Sequence, residues 1–266
     1  MAHVLITGAS GGVGVNCAYH FIQKGYKVTL HYNSNPSTLL PLLKQYPGQV
    51  VLTQASVTNE QQVMDVFGQA ISRFGPVEIL IVCHGVWPSD DVLVKDMEYS
   101  RWKSTMAINL NGTFLFIKHY CQQLDKFKTS IENPSIVLIG STAGKFGEAF
   151  HTDYSCSKTA MMYGMISSLK NELVKIHKKA RINTVAPGWI RTPMAERAMN
   201  DPQLLYQALA STPLRKVSEP EDITKAIMFL ADSTLSGNIT GVCLDVNGGM
   251  EGRLLNSLND FNKANL

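Results

Sequence analysis

Acidic residues are absent from the first part of this 266-residue chain, where none precedes Glu60. The five cysteines lie far apart, and no two of them form a C-x-x-C pair. An odd number of scattered cysteines favours free thiols in a reducing compartment over a disulfide framework or a zinc site. We therefore expect a cytoplasmic protein without a metal site.

Long apolar runs and basic clusters are also missing. No apolar run approaches the roughly 18 residues that a membrane-spanning helix needs, so no membrane is expected as a partner. The formal net charge is +3 and no stripe of Lys and Arg is present, which makes nucleic acid an unexpected partner. A strand-like segment begins at residue 3 and leaves no room for a signal peptide. The last residues, "KANL", are a loose variant of the S-K-L address with Asn265 at its basic position, so a peroxisomal location is the alternative.

Short apolar runs alternate with longer amphipathic segments along the chain. The runs predict seven strands, several of them the continuous Val/Ile/Leu type of parallel strands covered on both faces, at 3–7, 27–31, 49–53, 78–83, 135–140, 181–186 and 241–246. Helical patterns lie at 12–24, 60–74, 100–127, 153–178 and 220–232. A capping-box spacing from Thr58 to Gln61 begins the second of these, and Pro41 weakens a further helix after the second strand. This alternation predicts an α/β class, a single-domain doubly wound Rossmann fold over 1–250, with helices on both faces of a parallel sheet and a tail at 251–266.

The segment "TGASGGVG", residues 7–14, joins the first strand to the first helix. Glycines there let the backbone turn sharply and approach a pyrophosphate, which the helix N-terminus stabilises. The pattern is weak alone, but its position after the first strand favours a dinucleotide site. No Gly-Lys-Ser/Thr follows, which argues against a P-loop. The expected cofactor contacts here are Gly8, Ser10, Gly11, Gly12, Val13 and Gly14.

The end of the second strand, "LHYNSN", bears on the choice of cofactor. An NAD site normally offers an acidic side chain there to the ribose 2′-hydroxyl. His31, Asn33 and Ser34 instead offer neutral or partly cationic donors that suit a 2′-phosphate, although Asn and Ser are also ordinary turn residues. The glycine loop itself has no Arg or Lys. We predict NADP(H), with NAD(H) as the alternative.

In "TDYSCSKTA", residues 152–160, Tyr154 and Lys158 lie four residues apart. Such a pair is either two neighbours on a surface helix or the acid half of a redox site. An ammonium one turn away favours the phenolate and draws the tyrosine pKa down from about 10 toward neutrality. Tyr154 would then be the general acid in carbonyl reduction and the base in alcohol oxidation. Ser141, after the strand "SIVLIG", could hold the substrate oxygen as negative charge develops.

Together these residues resemble the short-chain dehydrogenase/reductase family, from residue 4 to about 250. The resemblance rests on six motifs in order: "TGASGGVG", "NLNG" at 109–112, Ser141 thirteen residues before Tyr154, "YSCSK", "PGWIRT" at 187–192 and "DVNGG" at 245–249. Two further segments, "PSDDVLVKDM" (88–97) and the stretch from "PLRKV" to "NITG", are similar to the 3-oxoacyl-[acyl-carrier-protein] reductase branch.

The resemblance implies a catalytic set of Asn109, Ser141, Tyr154 and Lys158. In it, Lys158 also hydrogen-bonds the nicotinamide ribose, and Asn109 positions a water that relays protons to Lys158. The Pro187-Gly188 turn would abut the nicotinamide, with Thr192 reaching its carboxamide; an ordinary turn and a helix cap are the alternatives. The further implied cofactor contacts are Ser56, Val57, Cys83, His84, Gly85, Pro187, Gly188, Ile190 and Thr192.

Three departures from the family pattern stand out. The family's "NNAG" reads "VCHG" here, and we interpret its His84 as a satisfied histidine beside the cofactor rather than an acid or base. Ser56 replaces the usual Asp after strand three, which weakens the expected adenine contact. Cys156 lies inside the active-site motif, where we interpret it as a small buried filler.

The reaction implied by this resemblance is NADPH-dependent reduction of a ketone, either a 3-oxoacyl thioester or a small hydrophobic ketone. The alternatives are a secondary alcohol dehydrogenase that uses the same site oxidatively and a non-catalytic dinucleotide sensor. An apolar lid at 189–213 would determine the substrate, although a core-packing helix pair would look similar. Family resemblance also suggests a homotetramer or homodimer, with the helices at 100–127 and 153–178 packing across two-fold axes. The candidate outward contacts are Phe114, Phe116, Met162 and Met165, although the core of a monomer could use them too.

Overall fold

Seven parallel strands form one sheet in the order β3-β2-β1-β4-β5-β6-β7 in the computed structural model, which describes residues 2–195 and 200–254. The strands are β1 His3–Thr7, β2 Lys27–Tyr32, β3 Val50–Gln54, β4 Ile79–Val82, β5 Ser135–Ile139, β6 Arg181–Pro187 and β7 Cys243–Val246. Each bound lies within two residues of its predicted place. The predicted doubly wound parallel sheet is confirmed.

Helices fill the connections between these strands. They are α1 Gly12–Gln23, α2 Leu40–Gln45, α3 Glu60–Phe74, α4 Tyr99–Met106, α5 Gly112–Lys126, α6 Thr142–Phe146, α7 Thr152–Thr159, α8 Ile166–Ile176, α9 Pro202–Ala210, α10 Pro220–Ala231 and α11 Ser233–Ser236. The sequence patterns did not predict α6 or α11, and α9 lies in the segment 189–213, where a helix pair was the alternative to a lid. No helix in these described ranges is both long and apolar enough to cross a bilayer.

Two π-helical turns interrupt the long helices that the sequence predicts. The turn Ala107–Asn111 separates α4 from α5, and the turn Ala160–Met165 separates α7 from α8. A π turn inserts residues into the helical repeat and is frequent at functional sites. Here the first turn contains Asn109, and the second begins two residues after Lys158.

The start of α3 corrects the predicted cap by one residue. Asn59 Oδ1 accepts a hydrogen bond from the Gln62 amide at 3.1 Å, and Gln62 Oε1 accepts from the Ser56 amide at 2.6 Å. The Thr58 hydroxyl lies 2.9 Å from the Ser56 hydroxyl instead of capping the helix. Both spacings fit the capping pattern, and the local turn selects Asn59.

Apolar side chains cover both faces of the sheet. Leu5 packs into the core on the face of α3, α5 and α8, whereas its neighbours Val4 and Ile6 pack into the core on the face of α1 and α10. Phe116 and Met162 are fully buried, so their prediction as outward contacts between subunits is wrong. Phe114 is exposed, as that prediction requires.

Candidate active site

A cleft of about 340 Å³ opens where β1, β4, β5 and β6 end. Ligands of open α/β sheets bind at the carboxyl ends of the strands, because loops from several strands meet there. Three of the four predicted catalytic residues and most of the predicted cofactor contacts line it: Gly8, Ser10, Gly11, Gly12, Val13, Gly14, Cys83, His84, Gly85, Ser141, Tyr154, Lys158, Pro187, Gly188, Ile190 and Thr192. The folded chain therefore brings these distant motifs together.

The glycine turn packs closely against the loops after β4 and β6, which leaves no room for side chains at Gly8 and Gly12. Gly8 has a φ of +59°, and a Cβ there would lie 2.6 Å from the Cα of His84. A Cβ on Gly12 would lie 2.7 Å from Cγ2 of Thr192. The first turn of α1 has no side-chain cap and no acidic residue. The amide groups of this first turn have no partner within the helix, and they fit a dinucleotide pyrophosphate that approaches the backbone closely.

His31 does not face the cofactor in the way the sequence predicted. Its ring is buried, Nδ1 accepts from the Gly8 amide at 3.2 Å, and Nε2 donates to the Ala55 carbonyl at 3.0 Å. Burial lowers the pKa of His31 to about 4. The prediction of a partly cationic donor for a 2′-phosphate is therefore wrong at this residue, which instead holds the glycine turn against β3.

The other predicted adenosine contacts lie outside the cleft. Asn33 and Ser34 are exposed just after β2, and Ser56 is partly buried just after β3. Val57 is buried, with its Cγ2 2.8 Å from the position that a Cβ on Gly112 would take. Because β2 and β3 lie beside β1 in the sheet, Asn33, Ser34 and Ser56 lie at the same edge of the sheet as the glycine turn. Their contact with a cofactor stays a prediction.

Tyr154 and Ser141 form the polar centre of the cleft. Ser141 caps α6 by accepting from the Ala143 amide at 3.1 Å. Burial raises the pKa of Tyr154 to about 12, outweighing the opposing effect of its hydrogen bond with Ser141. The predicted drop in this pKa toward neutrality is therefore not observed. The phenol is protonated at neutral pH, which suits a proton donor.

Lys158 points its ammonium at the sheet rather than at the phenol oxygen. Nζ donates to the Ile139 carbonyl at 2.7 Å and lies 5.7 Å from the centroid of the Tyr154 ring. The side chain is almost fully buried, and burial lowers the pKa of Lys158 to about 8. Its orientation explains why the expected effect on Tyr154 is missing, yet it keeps a cation in the cleft at neutral pH.

Asn109 braces the site with both ends of its side-chain amide. Oδ1 accepts from the Val86 amide at 2.8 Å, and Nδ2 donates to the Val86 carbonyl at 3.0 Å and to Ser157 Oγ at 3.1 Å. Ser157 in turn donates to the Tyr154 carbonyl at 2.7 Å. This clamp fastens the loop after β4 to α7. The sequence analysis missed Val86 and Ser157, although Ser157 lies within "YSCSK".

His84 and Cys156 resolve two of the departures from the family pattern. His84 Nδ1 lies 2.7 Å from Thr7 Oγ1, and burial lowers the pKa of His84 to about 3. The ring is neutral and anchored through Nδ1, but Nε2 is buried without a hydrogen-bond partner among the described residues, so the interpretation as a satisfied histidine holds at one nitrogen only. Cys156 is exposed, so its prediction as a buried filler is wrong. Its neighbours Ser155 and Ser157 are the ones that face inward.

A second cavity of about 690 Å³ adjoins the cleft and shares Trp87, Glu148 and Trp189 with it. Sequence reasoning assigned these three no role, although Trp189 lies inside "PGWIRT". Parts of the predicted lid border the two cavities, Met194 on the first and Leu204 on the second. Glu196–Met199 and the "KANL" terminus lie outside the described residues.

Arg253, in the predicted C-terminal tail, is part of the wall of the site. Arg253 lines the second cavity and donates to the Gly147 carbonyl, to Thr142 Oγ1 at 3.3 Å and to Glu148 Oε2 at 3.4 Å. The wall of the site therefore includes residues that the sequence analysis had left to a tail.

Within residues 2–195 and 200–254, no three His, Cys, Asp or Glu side chains cluster as metal ligands would.

Known proteins with similar sequences span most of this chain. A family profile described as "Enoyl-(Acyl carrier protein) reductase" matches residues 8–251. The chain is 30% identical over 248 residues to a 3-oxoacyl-[acyl-carrier-protein] reductase of Thermotoga maritima, covering 92% of this chain and 96% of that relative. A protein of the same name from Synechocystis sp. is 28% identical, covering 92% of this chain and 95% of the relative.

Solved structures agree with this grouping. ElxO with NADP bound superposes with a TM-score of 0.83 at 26% identity, covering 94% of this chain and 98% of that one. A short-chain dehydrogenase/reductase from Brucella melitensis has a TM-score of 0.82 at 26% identity, covering 94% and 96%. The predicted resemblance is thereby confirmed, including its similarity to 3-oxoacyl-[acyl-carrier-protein] reductases. The chain belongs to the short-chain dehydrogenase/reductase family of oxidoreductases, which use a nicotinamide dinucleotide.

Proposed function

We propose that this protein reduces a ketone to a secondary alcohol with NADPH, and that the ketone is a 3-oxoacyl thioester or a small hydrophobic ketone. The observation that carries the proposal is that Tyr154, protonated at neutral pH, shares one cleft with the Ser141 hydroxyl and the Lys158 cation. The 3-oxoacyl reductases among the relatives support the thioester.

Each residue of the cleft has its own role in carbonyl reduction. NADPH supplies the hydride for the carbonyl carbon. Tyr154 gives its proton to the carbonyl oxygen, and Ser141 Oγ holds that oxygen while negative charge develops. The Lys158 ammonium stabilises the tyrosinate that remains once it turns from the Ile139 carbonyl toward the phenol oxygen. Asn109 holds the loop after β4 against α7. The proton donor therefore stays opposite the position from which the hydride is transferred.

The preference for NADPH rests on charge near the adenosine end. No acidic residue precedes Glu60, and the exposed Asn33 and Ser34 follow β2, where an acid would repel a 2′-phosphate. We expect kcat/KM to be at least about 10-fold higher with NADPH than with NADH, equivalent to about 1.4 kcal/mol from hydrogen bonds to the phosphate. Equal values with the two cofactors would contradict this preference.

A panel of ketones tests the direction of the reaction and whether the protein is a reductase, a dehydrogenase or a sensor. Loss of NADPH absorbance is followed with an acetoacetyl thioester, small hydrophobic ketones and, for the oxidative direction, the matching secondary alcohols with NADP⁺. We expect at least one ketone to be turned over faster than its alcohol at neutral pH, because Tyr154 is protonated there. Faster alcohol oxidation would favour a dehydrogenase, and cofactor binding without any turnover would favour a sensor.

The rate of reduction is expected to fall as the pH rises through about 8. Burial lowers the pKa of Lys158 to that value, so above it the cation that stabilises the tyrosinate is lost, whereas Tyr154 itself stays protonated. The measurement is kcat/KM for the best ketone between pH 6 and pH 10. Lys158→Met is expected to be slow and to lack the descending limb. A flat wild-type profile would show that Lys158 does not act through its charge.

Assembly and location are part of the same proposal. We expect a homotetramer, or a homodimer, in the cytoplasm. Sedimentation of the purified chain tests the first expectation. A reporter fused to the last ten residues, which include "KANL", tests the second by its distribution in cells.

A further inference from the structure

A buried ion pair lies directly beside the proposed proton donor. The Asp153 side chain is completely buried at the start of α7, one residue before Tyr154. Its Oδ2 accepts from Thr105 Oγ1 at 2.7 Å and from Arg101 Nε at 3.2 Å, both on α4. These bonds join α4 to the first turn of the helix that carries Tyr154.

The charge on Asp153 is maintained despite its burial. Burial alone would raise the pKa of this carboxyl, but hydrogen bonds from Thr105, Arg101 and the Tyr154 amide bring it below its usual value. Asp153 and Tyr154 are consecutive residues of α7, so the bonds that hold Asp153 against α4 also hold the backbone of the donor residue. A displacement of Asp153 would therefore displace Tyr154.

Arg101 also holds two segments of the substrate-side wall. Nη1 donates to the Asp90 carbonyl at 2.7 Å, and Nη2 donates to the Phe150 carbonyl at 3.1 Å. Both Asp90 and Phe150 line the second cavity. Phe150 has a φ of +68°, a left-handed conformation that non-glycine residues adopt only when their surroundings hold them there.

A purely stabilising role explains these contacts less well. Buried ion pairs contribute little to net stability, because desolvation offsets their attraction. The Arg101 guanidinium instead donates to three residues, Asp153, Asp90 and Phe150, each of which lies beside the donor or on the wall of the cavity. Nothing in that arrangement is needed to close the core, whose apolar clusters lie against the sheet.

We propose that Asp153 and Arg101 are positioning residues of the reductase: Asp153 sets the orientation of Tyr154, and Arg101 sets the substrate-facing wall through the Asp90 and Phe150 carbonyls. This inference rests on the proposed function. It assigns the two partners different kinetic signatures, since one acts on proton transfer and the other on substrate binding.

Two conservative variants separate these signatures. Asp153→Asn keeps the size of the side chain but weakens its hold on Arg101, and it is expected to lower kcat on the order of 10-fold or more, since small misplacements of a reacting group are costly. Arg101→Lys keeps a cation for Asp153 but cannot reach both carbonyls. It is expected to raise KM on the order of 10-fold with kcat changed less than about twofold. NADPH affinity, titrated by fluorescence, is expected to be unchanged in both variants.

Folding effects are separated by a double variant and a distant control. Arg101→Gln with Asp153→Asn leaves no unpaired buried charge, so it is measured alongside Asp153→Asn and replaces it if that variant does not fold. It is expected to keep the lowered kcat. Lys225→Gln removes the exposed pair with Glu221 on α10 and is expected to change neither constant.

The same assays distinguish failure of the inference from failure of the proposed function. Wild-type turnover of a ketone with NADPH establishes the reaction. If the wild type is active and the variants lose only thermal stability, with kcat and KM retained, Asp153 and Arg101 are structural and the inference is overturned. An inactive wild type that binds NADPH overturns the proposed function, and the inference with it.

Discussion

Replacement of Tyr154 by phenylalanine is expected to lower kcat for ketone reduction by about 10²-fold or more, the usual size of a lost general acid. The ring stays in place, so the cleft keeps its shape and NADPH should bind with unchanged affinity. Only the hydroxyl that donates the proton is removed. The measurement is steady-state turnover of the best ketone, together with a fluorescence titration of NADPH.

Tyr163→Phe is the matched control for this substitution. Tyr163 lies in the π turn that follows α7, is exposed and does not line the cleft. The Tyr163→Phe variant loses the same hydroxyl oxygen from the same helical region, and the turnover of this variant should equal that of the wild type. Unchanged turnover in Tyr154→Phe would refute the assignment of Tyr154 as the acid, and weakened NADPH binding would show that the hydroxyl serves the cofactor.

Acid is expected to unfold the protein well above the pH at which its carboxylates titrate. Burial lowers the pKa values of His3 and His31 to about 4 and that of His84 to about 3. Above pH 6.5 these rings are neutral in both the folded and the unfolded chain. Below it, the unfolded chain takes up protons that the folded chain excludes, so stability is lost as the pH falls toward 4.

The loss should be steep, because three rings act in the same direction. Each contributes at most about 1.4 kcal/mol per pH unit, or about 4 kcal/mol together between pH 6 and pH 5. Urea unfolding followed by circular dichroism at pH 7, 6 and 5 measures this slope. His3→Gln, which lies away from the cleft, should reduce the slope by about a third. A free energy of unfolding that is constant from pH 7 to pH 5 would contradict the prediction.

That the cleft residues lie close together was predictable from the sequence, because the carboxyl ends of parallel strands meet at one edge of the sheet. Gly8, Ser141 and Pro187 each follow or end a recognisable apolar run, and parallel strands place their carboxyl ends at one edge. The spacing of Tyr154 and Lys158 needed only one helical turn. Such features depend on the order of elements, which the Val/Ile/Leu runs encode directly.

Side-chain direction was less predictable because tertiary partners decide it. His31 ends its strand where a cofactor contact is expected, yet the Gly8 amide and the Ala55 carbonyl draw its ring inward. Asn109 bonds to the backbone of Val86, which no local pattern reveals. Lys158 points to the Ile139 carbonyl, so the pKa of Tyr154 follows burial rather than the helical spacing.

Helix geometry explains the error at one of the predicted subunit contacts. Phe114 and Phe116 lie two residues apart on α5, about 200° around the helix, so only one of them can face outward. Phe114 is exposed, whereas Phe116 packs into the core. Met162, in the turn Ala160–Met165, packs against Gly140 and Gly144, a tertiary contact that no local pattern reveals.

The most direct measurement of the proposed reaction is the stoichiometry of NADPH consumption and alcohol formation with an acetoacetyl thioester or the best hydrophobic ketone of the panel. NADPH loss is followed by absorbance, and the product is identified by mass spectrometry. We expect one secondary alcohol for each NADPH oxidised, at a rate proportional to the enzyme concentration. Binding of NADPH without oxidation by any ketone of the panel would contradict the assignment of this protein as a ketone reductase.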